Sequence, residues 1–167
     1  MEIDRVFGLP AHPLLVHIPV VLIPLLALFT IALAARPAWR TRWGVPLALA
    51  NVAMLVVILL VTGSGEQLER HLGAEPLIVR HRELGEQLRL IWAAFTAVTV
   101  ALAVVDRWRR SATGASWLRP AATGLSVLAV AGAVLSTVWD VRTGHAGAKS
   151  AWGDTPKGTA KGYSGGD

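Results

Sequence analysis

The chain carries five histidines, His12, His17, His71, His81 and His145, and no cysteine. Imidazole is a common nitrogen ligand for zinc, copper and iron, and its unperturbed titration falls near neutral pH. The lack of cysteine excludes disulfides, Cys-ligated zinc, iron–sulfur clusters held by these residues and thioether-linked haem. Metal chemistry would therefore rest on imidazole and carboxylate alone. No His-Glu-x-x-His or His-x-His spacing occurs, and no nucleophile elbow or serine–histidine pair is visible. The sequence assigns no catalytic residue, and the reading leans away from an enzyme.

What positions these residues is read from the hydropathy. The chain has 167 residues, of which 53 % are hydrophobic and only 16 % charged. Mean hydropathy is +0.51. Soluble domains average about 25 % charged residues, so the deficit implies that part of the solvent is lipid. A helix needs about 20 apolar residues to cross the hydrocarbon core. Four segments meet this need, at about 13–35, 45–63, 76–106 and 120–143. They lack the period-2 alternation of strands, and too little polar chain remains to cover four buried helices. The first ends in Leu33-Ala34-Ala35, as a signal peptide could. Its leading residues are not net positive and it contains His17, Pro19 and Pro24, so it reads as a retained span. The fold class expected is all-α, a four-helix transmembrane bundle running up-down-up-down.

The formal charge of +5 is distributed unevenly. Arg36, Arg40 and Arg42 crowd one short connection; Arg107, Arg109, Arg110 and Arg119 crowd the other. Short arginine-dense loops stay cytoplasmic, which places both termini, residues 1–12 and the tail 144–167, outside a bacterial cytoplasmic membrane. Trp39, Trp43, Trp108 and Trp117 among these arginines read as an interfacial belt with arginines reaching toward anionic lipid. Lipid is the expected partner and nucleic acid is not. Beyond about residue 153 the small, polar, Gly-rich tail is expected to be disordered.

On this topology every histidine, and ten of the eleven acids, lie at the outer end. Pro19 and Pro24 remove helix hydrogen bonds and predict a kinked entrance beside His17. His81, Leu84, Leu88, Trp92 and Phe95 share one stripe of the third helix, which turns His81 toward the bundle. Arg80, Glu83 and Gln87 form another stripe, and Arg82, Glu86 and Arg89 a third, both facing water. Gly144 suits a helix stop, after which His145 folds over the bundle mouth. Asp140 lies one turn inside, placed to orient a histidine or pair with Arg142. The turn Gly63-Ser64-Gly65-Glu66 carries a carboxylate to the same rim. Candidate cofactor ligands are His17, His81 and His145. A metal site could add His12, Glu66 and Asp140, with His12 as ligand or supporting group and the two acids orienting. Two histidines facing across a bundle suit haem b; imidazole with carboxylate suits a divalent transition metal. Structural hydrogen bonding and proton sensing or transfer are the competing readings. His71 is expected to be solvated. Ala93, Ala94, Ala97, Gly124 and Ala131 are small enough to allow close helix packing. Asn51 is the one strongly polar residue deep in the second span.

The opening His12-Pro13-Leu14-Leu15-Val16-His17-Ile18-Pro19 resembles the His-Pro-x-x-Val-His-Phe-Pro of a bacterial membrane family called domain of unknown function 2231. Gly144-His145-Ala146-Gly147 is similar to that family's closing Gly-His-x-Gly, and His81 lies where members place a histidine before the third span. Ile18 departs from the usual aromatic. The resemblance covers about residues 8–152 and implies a four-span bacterial membrane protein. Some members are joined to Rieske-type iron–sulfur modules, which implies redox work with partner proteins; no such module is read in these 167 residues. The resemblance brings no established activity. The expectation is a haem- or metal-binding membrane subunit linked to electron transfer. The alternatives are a non-catalytic accessory or assembly protein, and proton-linked transport or sensing.

Overall fold

A computed structural model describes residues 5–6, 8–73, 75–111 and 115–153. A short antiparallel hairpin pairs β1 (Arg5–Val6) with β2 (Leu9–Pro10). Gly8 in its turn has φ of 82°, a left-handed conformation that glycine adopts without steric cost. Five helices follow: α1 (Ala11–Leu15), α2 (His17–Ala35), α3 (Pro37–Leu72), α4 (Pro76–Ser111) and α5 (Leu118–Trp152). α1 and α2 form one span interrupted at Val16. The break has a local cause, because Pro19 has no N–H to give the carbonyl of Leu15.

The chain is an all-α bundle with four helical spans long and apolar enough to cross a membrane. Successive helices run antiparallel, and α2, α3, α4 and α5 pack in a closed ring. Its inside-out character is clear from exposure. Leu28, Leu49, Leu90 and Val127 face outward at 64–67 % exposure, while Ile23, Asn51, Trp92 and Ser136 are fully buried. An outward surface of leucine and valine is stable only against lipid.

The helices extend well past the hydrophobic segments into their polar flanks. Gly63-Ser64-Gly65-Glu66 is not a turn, since α3 continues through it to Leu72. Gly144 is likewise not a helix stop, since α5 continues to Trp152. A glycine inside a helix costs only about 1 kcal/mol, which tertiary packing here overrides. The long polar connection expected between the second and third spans therefore shrinks to residues 73–75. The tail expected to be disordered beyond about 153 lies outside the described residues.

Close packing is also carried by other residues than those expected. Ala94, Ala97, Gly124 and Ala131 face outward. The seam of α5 is instead Ala122, Ser126, Ala129, Ala133, Ser136 and Asp140, all buried. A Cβ at Gly132 would stand 2.8 Å from the ring of Phe95, so glycine permits the α4–α5 approach there. Near mid-bundle, Trp92 Nε1 donates to the carbonyl of Asn51 at 3.1 Å, and Asn51 Nδ2 donates to Thr99 Oγ1 at 3.2 Å. These bonds cross-link α3 to α4.

Candidate functional site: paired histidines at one end of the bundle

His81 lies on the stripe expected of it. Leu84, Leu88, Trp92 and Phe95 are all buried, while Arg80–Glu83 and Arg82–Glu86 pair along the helix surface. Arg82 also reaches Glu69 of α3 at 3.2 Å. The buried stripe sets the rotation of α4 that turns His81 inward, and of these pairs only Arg82–Glu69 links α4 to another helix.

The partner of His81 is His12. Their ring centroids are 5.9 Å apart, edge to face. Each ring is fixed in the same way. His12 Nδ1 lies 3.0 Å from the carbonyl oxygen of Val61 on α3. His81 Nδ1 lies 3.0 Å from the carbonyl oxygen of Thr143 on α5. Four residues on from each carbonyl comes a glycine, against which the ring rests. A Cβ at Gly65 would stand 2.9 Å from His12 Cε1, and one at Gly147 would stand 2.9 Å from His81 Cε1. The two hairpins thus repeat one device: an imidazole seated on a helical glycine and tethered to the carbonyl one turn back.

The tether fixes the proton. A carbonyl oxygen can only accept, so Nδ1 of each neutral ring carries the hydrogen. Nε2 is then an unprotonated nitrogen with its lone pair free, and among the described residues it has no hydrogen-bond partner. A backbone carbonyl on Nδ1–H is a frequent means of orienting an imidazole that ligates metal.

The wider constellation does not assemble. His17, Glu66 and His145 are exposed. Asp140 is buried, and its expected partner Arg142 stacks instead over the Trp139 ring, 4.7 Å from its centroid. His71 donates to the carbonyl of Gln67 in its own helix at 2.8 Å. Among the described residues no group of three or more His, Asp or Glu side chains converges. The expectation that His17, His81 and His145 meet is corrected to His12 with His81. His12 is partly buried against α3, whereas His17, beyond the break at Val16, is exposed. His145 stays on the outer face because α5 does not end at Gly144.

The opposite end of the bundle is arginine-rich. Arg40 Nε lies 3.0 Å from Asp106 Oδ2, with both side chains under one-tenth exposed. Arg109 reaches the other carboxylate oxygen at 3.2 Å, and Arg40 also donates to Ser126 Oγ on α5. This buried ion network ties together α3, α4 and α5.

The comparisons accord with this architecture. No curated protein and no solved structure matches the chain. The family model described as a predicted membrane protein, DUF2231, matches residues 8–157. That match spans both seated histidines, their two glycines and all four spans, and the chain belongs to the DUF2231 family of predicted membrane proteins.

Proposed function

We infer that this integral membrane protein holds a transition-metal centre, either a haem iron or a single ion, between His12 and His81. The observation that carries the reading is the shared tether. Both Nδ1 protons are committed to backbone carbonyls, which leaves both Nε2 lone pairs available for a metal. Two imidazoles sharing one ion at about 2 Å per bond place their centroids roughly 5–6.5 Å apart, and the observed spacing falls in that range. Of the groups that two histidines could hold, haem would need no further protein ligand, and no third His, Asp or Glu converges on the pair among the described residues. A haem held by His12 and His81 would supply one-electron chemistry, with the two imidazoles positioning it and binding its iron. His17, His145, Glu66 and Asp140 take no part as ligands. The arginine-dense end faces the cytoplasm of a bacterial cell and the histidine end faces outward.

The test is a visible spectrum and metal analysis of the purified full-length protein, followed by titration with haem and with zinc. The expected result is binding that is lost in His12→Ala and His81→Ala and kept in His17→Ala and His145→Ala. A protein that refuses both, or binds them equally well without His12 and His81, overturns the reading.

One observation favours a second reading, that of a non-catalytic accessory or assembly protein. Both tethers cross between helices, so the histidines already act as clasps joining α1 to α3 and α4 to α5. On that reading the two alanine variants lower stability or complex formation while cofactor content stays at zero throughout.

A further inference from the structure

A cavity of about 580 Å³ opens at the arginine end, between the start of α3, the end of α4 and the start of α5. Its walls include Arg109, Arg110 and Arg119, with Ser116 and Thr41. Asp106 is the one acid in the lining, and both of its oxygens are already engaged, one by Arg40 and one by Arg109. Arg110 donates to the carbonyl of Thr41 at 2.8 Å, which holds its guanidinium at the wall. Neither Arg110 nor Arg119 has a carboxylate in ion-pair range among the described residues.

The helix ends add to the positive potential. Pro37 at the start of α3, and Leu118 and Arg119 at the start of α5, line this cavity. Neither helix has a side-chain cap or an acidic residue in its first turn. Both helices turn the positive end of their dipoles to this cavity. Pro37 and Pro120 carry no N–H, and the Trp39 and Leu118 N–H groups already donate to the carbonyls of Arg36 and Ala115, so the arginine side chains are left as the main anion ligands. Trp39, Trp43, Trp108 and Trp117 are exposed around this end, the level that aromatic side chains occupy beside lipid phosphates.

We propose that this cavity binds a phosphate group, with Arg110 and Arg119 as its principal ligands and a lipid phosphodiester as its ordinary source. Guanidinium forks match phosphate oxygens in pairs. A volume within the roughly 300–1,000 Å³ of small-molecule sites accommodates a headgroup with its glycerol. A tryptophan belt at the same level makes lipid the nearer source than a soluble phosphate. The site is separate from the histidine pair and does not depend on it.

The experiment uses full-length protein in maltoside micelles. Thermal unfolding is followed while dioctanoyl phosphatidylglycerol, or inorganic phosphate, is added. The expected result is a saturable rise in Tm with phosphatidylglycerol, its midpoint moved at least tenfold in the double variant Arg110→Gln/Arg119→Gln. No response to inorganic phosphate over the same range assigns the source as lipid; an equal, arginine-dependent response assigns it as a soluble anion. A control double variant, Arg36→Gln/Arg42→Gln, removes the same charge from the same end outside the cavity. Equal weakening in the control, or none in the cavity variant, overturns the proposal. Native mass spectrometry of the wild type gives an independent reading, in which one retained anionic phospholipid is expected. Complete delipidation under conditions that keep the bundle folded counts against the site.

Discussion

His81 rests on Gly147 so closely that a methyl group there would meet its ring at 2.9 Å. The ring cannot retreat freely, since its Nδ1 is bound to Thr143 on the same helix. Ordinary helix propensity argues for alanine at Gly147, by about 1 kcal/mol. The collision argues against it, and overpacking costs roughly 1–3 kcal/mol. Gly147→Ala is therefore expected to lower stability in micelles by up to about 2 kcal/mol. At Gly144, one turn away, an added methyl group would meet nothing within 4 Å, and Gly144→Ala should be neutral or stabilising by up to about 1 kcal/mol. Thermal unfolding of the two variants side by side decides it. Equal effects would show that the seat beneath His81 is unimportant.

The same pair of glycines marks where sequence reading stops. Four apolar runs and a charge-poor composition suffice to expect the bundle, because burial of polar backbone in lipid leaves few alternatives. The orientation of α4 is also legible. A three-and-four spacing links His81 to Leu84, Leu88 and Trp92, and ion pairs fill the other faces. What the sequence conceals is that Gly65 and Gly147 are contact points rather than turns. A glycine reads alike as a breaker or as a place of close approach, and only the facing ring distinguishes the two. Taking Gly144 for a stop puts His145 over the mouth, and taking Gly63–Glu66 for a loop puts Glu66 on the rim.

Asn51 is the one strongly polar residue that the sequence places deep in the second span. Its side chain does less than its backbone. The carbonyl accepts from Trp92 Nε1 and from Thr96 Oγ1, whereas Oδ1 is buried and lacks a partner among the described residues. Asn51→Leu removes the bond to Thr99 but leaves no orphan there, because Thr99 Oγ1 still donates to the carbonyl of Thr96 at 2.9 Å. The variant should stay within about 1 kcal/mol of wild type. Trp92→Ala, by contrast, empties a fully buried site and should cost about 3–5 kcal/mol. A large loss in Asn51→Leu would mean that the amide, rather than the backbone carbonyl, carries the α3–α4 link.

Arg40 and Asp106 form a buried pair, and burial makes the two singles worse than the double. Asp106→Ala leaves the Arg40 charge without its carboxylate and should cost about 3–5 kcal/mol. Replacing both with Leu removes the charge along with its partner. The double variant is expected to be more stable than Asp106→Ala alone, because apolar replacements of buried pairs are often close to neutral. A double-mutant cycle measures the coupling directly. Simple additivity would show that Arg109, which shares the carboxylate, takes over Arg40's role.

Metal or haem held by two imidazoles must compete with protons. Each ligand binds only as the neutral ring, so a proton taken up by either imidazole opposes binding. Acid therefore favours the unliganded protein, and affinity falls as the pH is lowered. With two ligands, log affinity should fall by about two for each pH unit once both free rings are protonated. Removing one imidazole by His81→Ala should both weaken binding and halve the slope to about one. The tethers sharpen the expectation, because Nδ1 of each ring is already occupied by a carbonyl and only Nε2 remains for either the proton or the metal. An affinity that stays constant over the whole acid range in which the protein remains folded excludes these histidines as ligands, whatever the preparation binds.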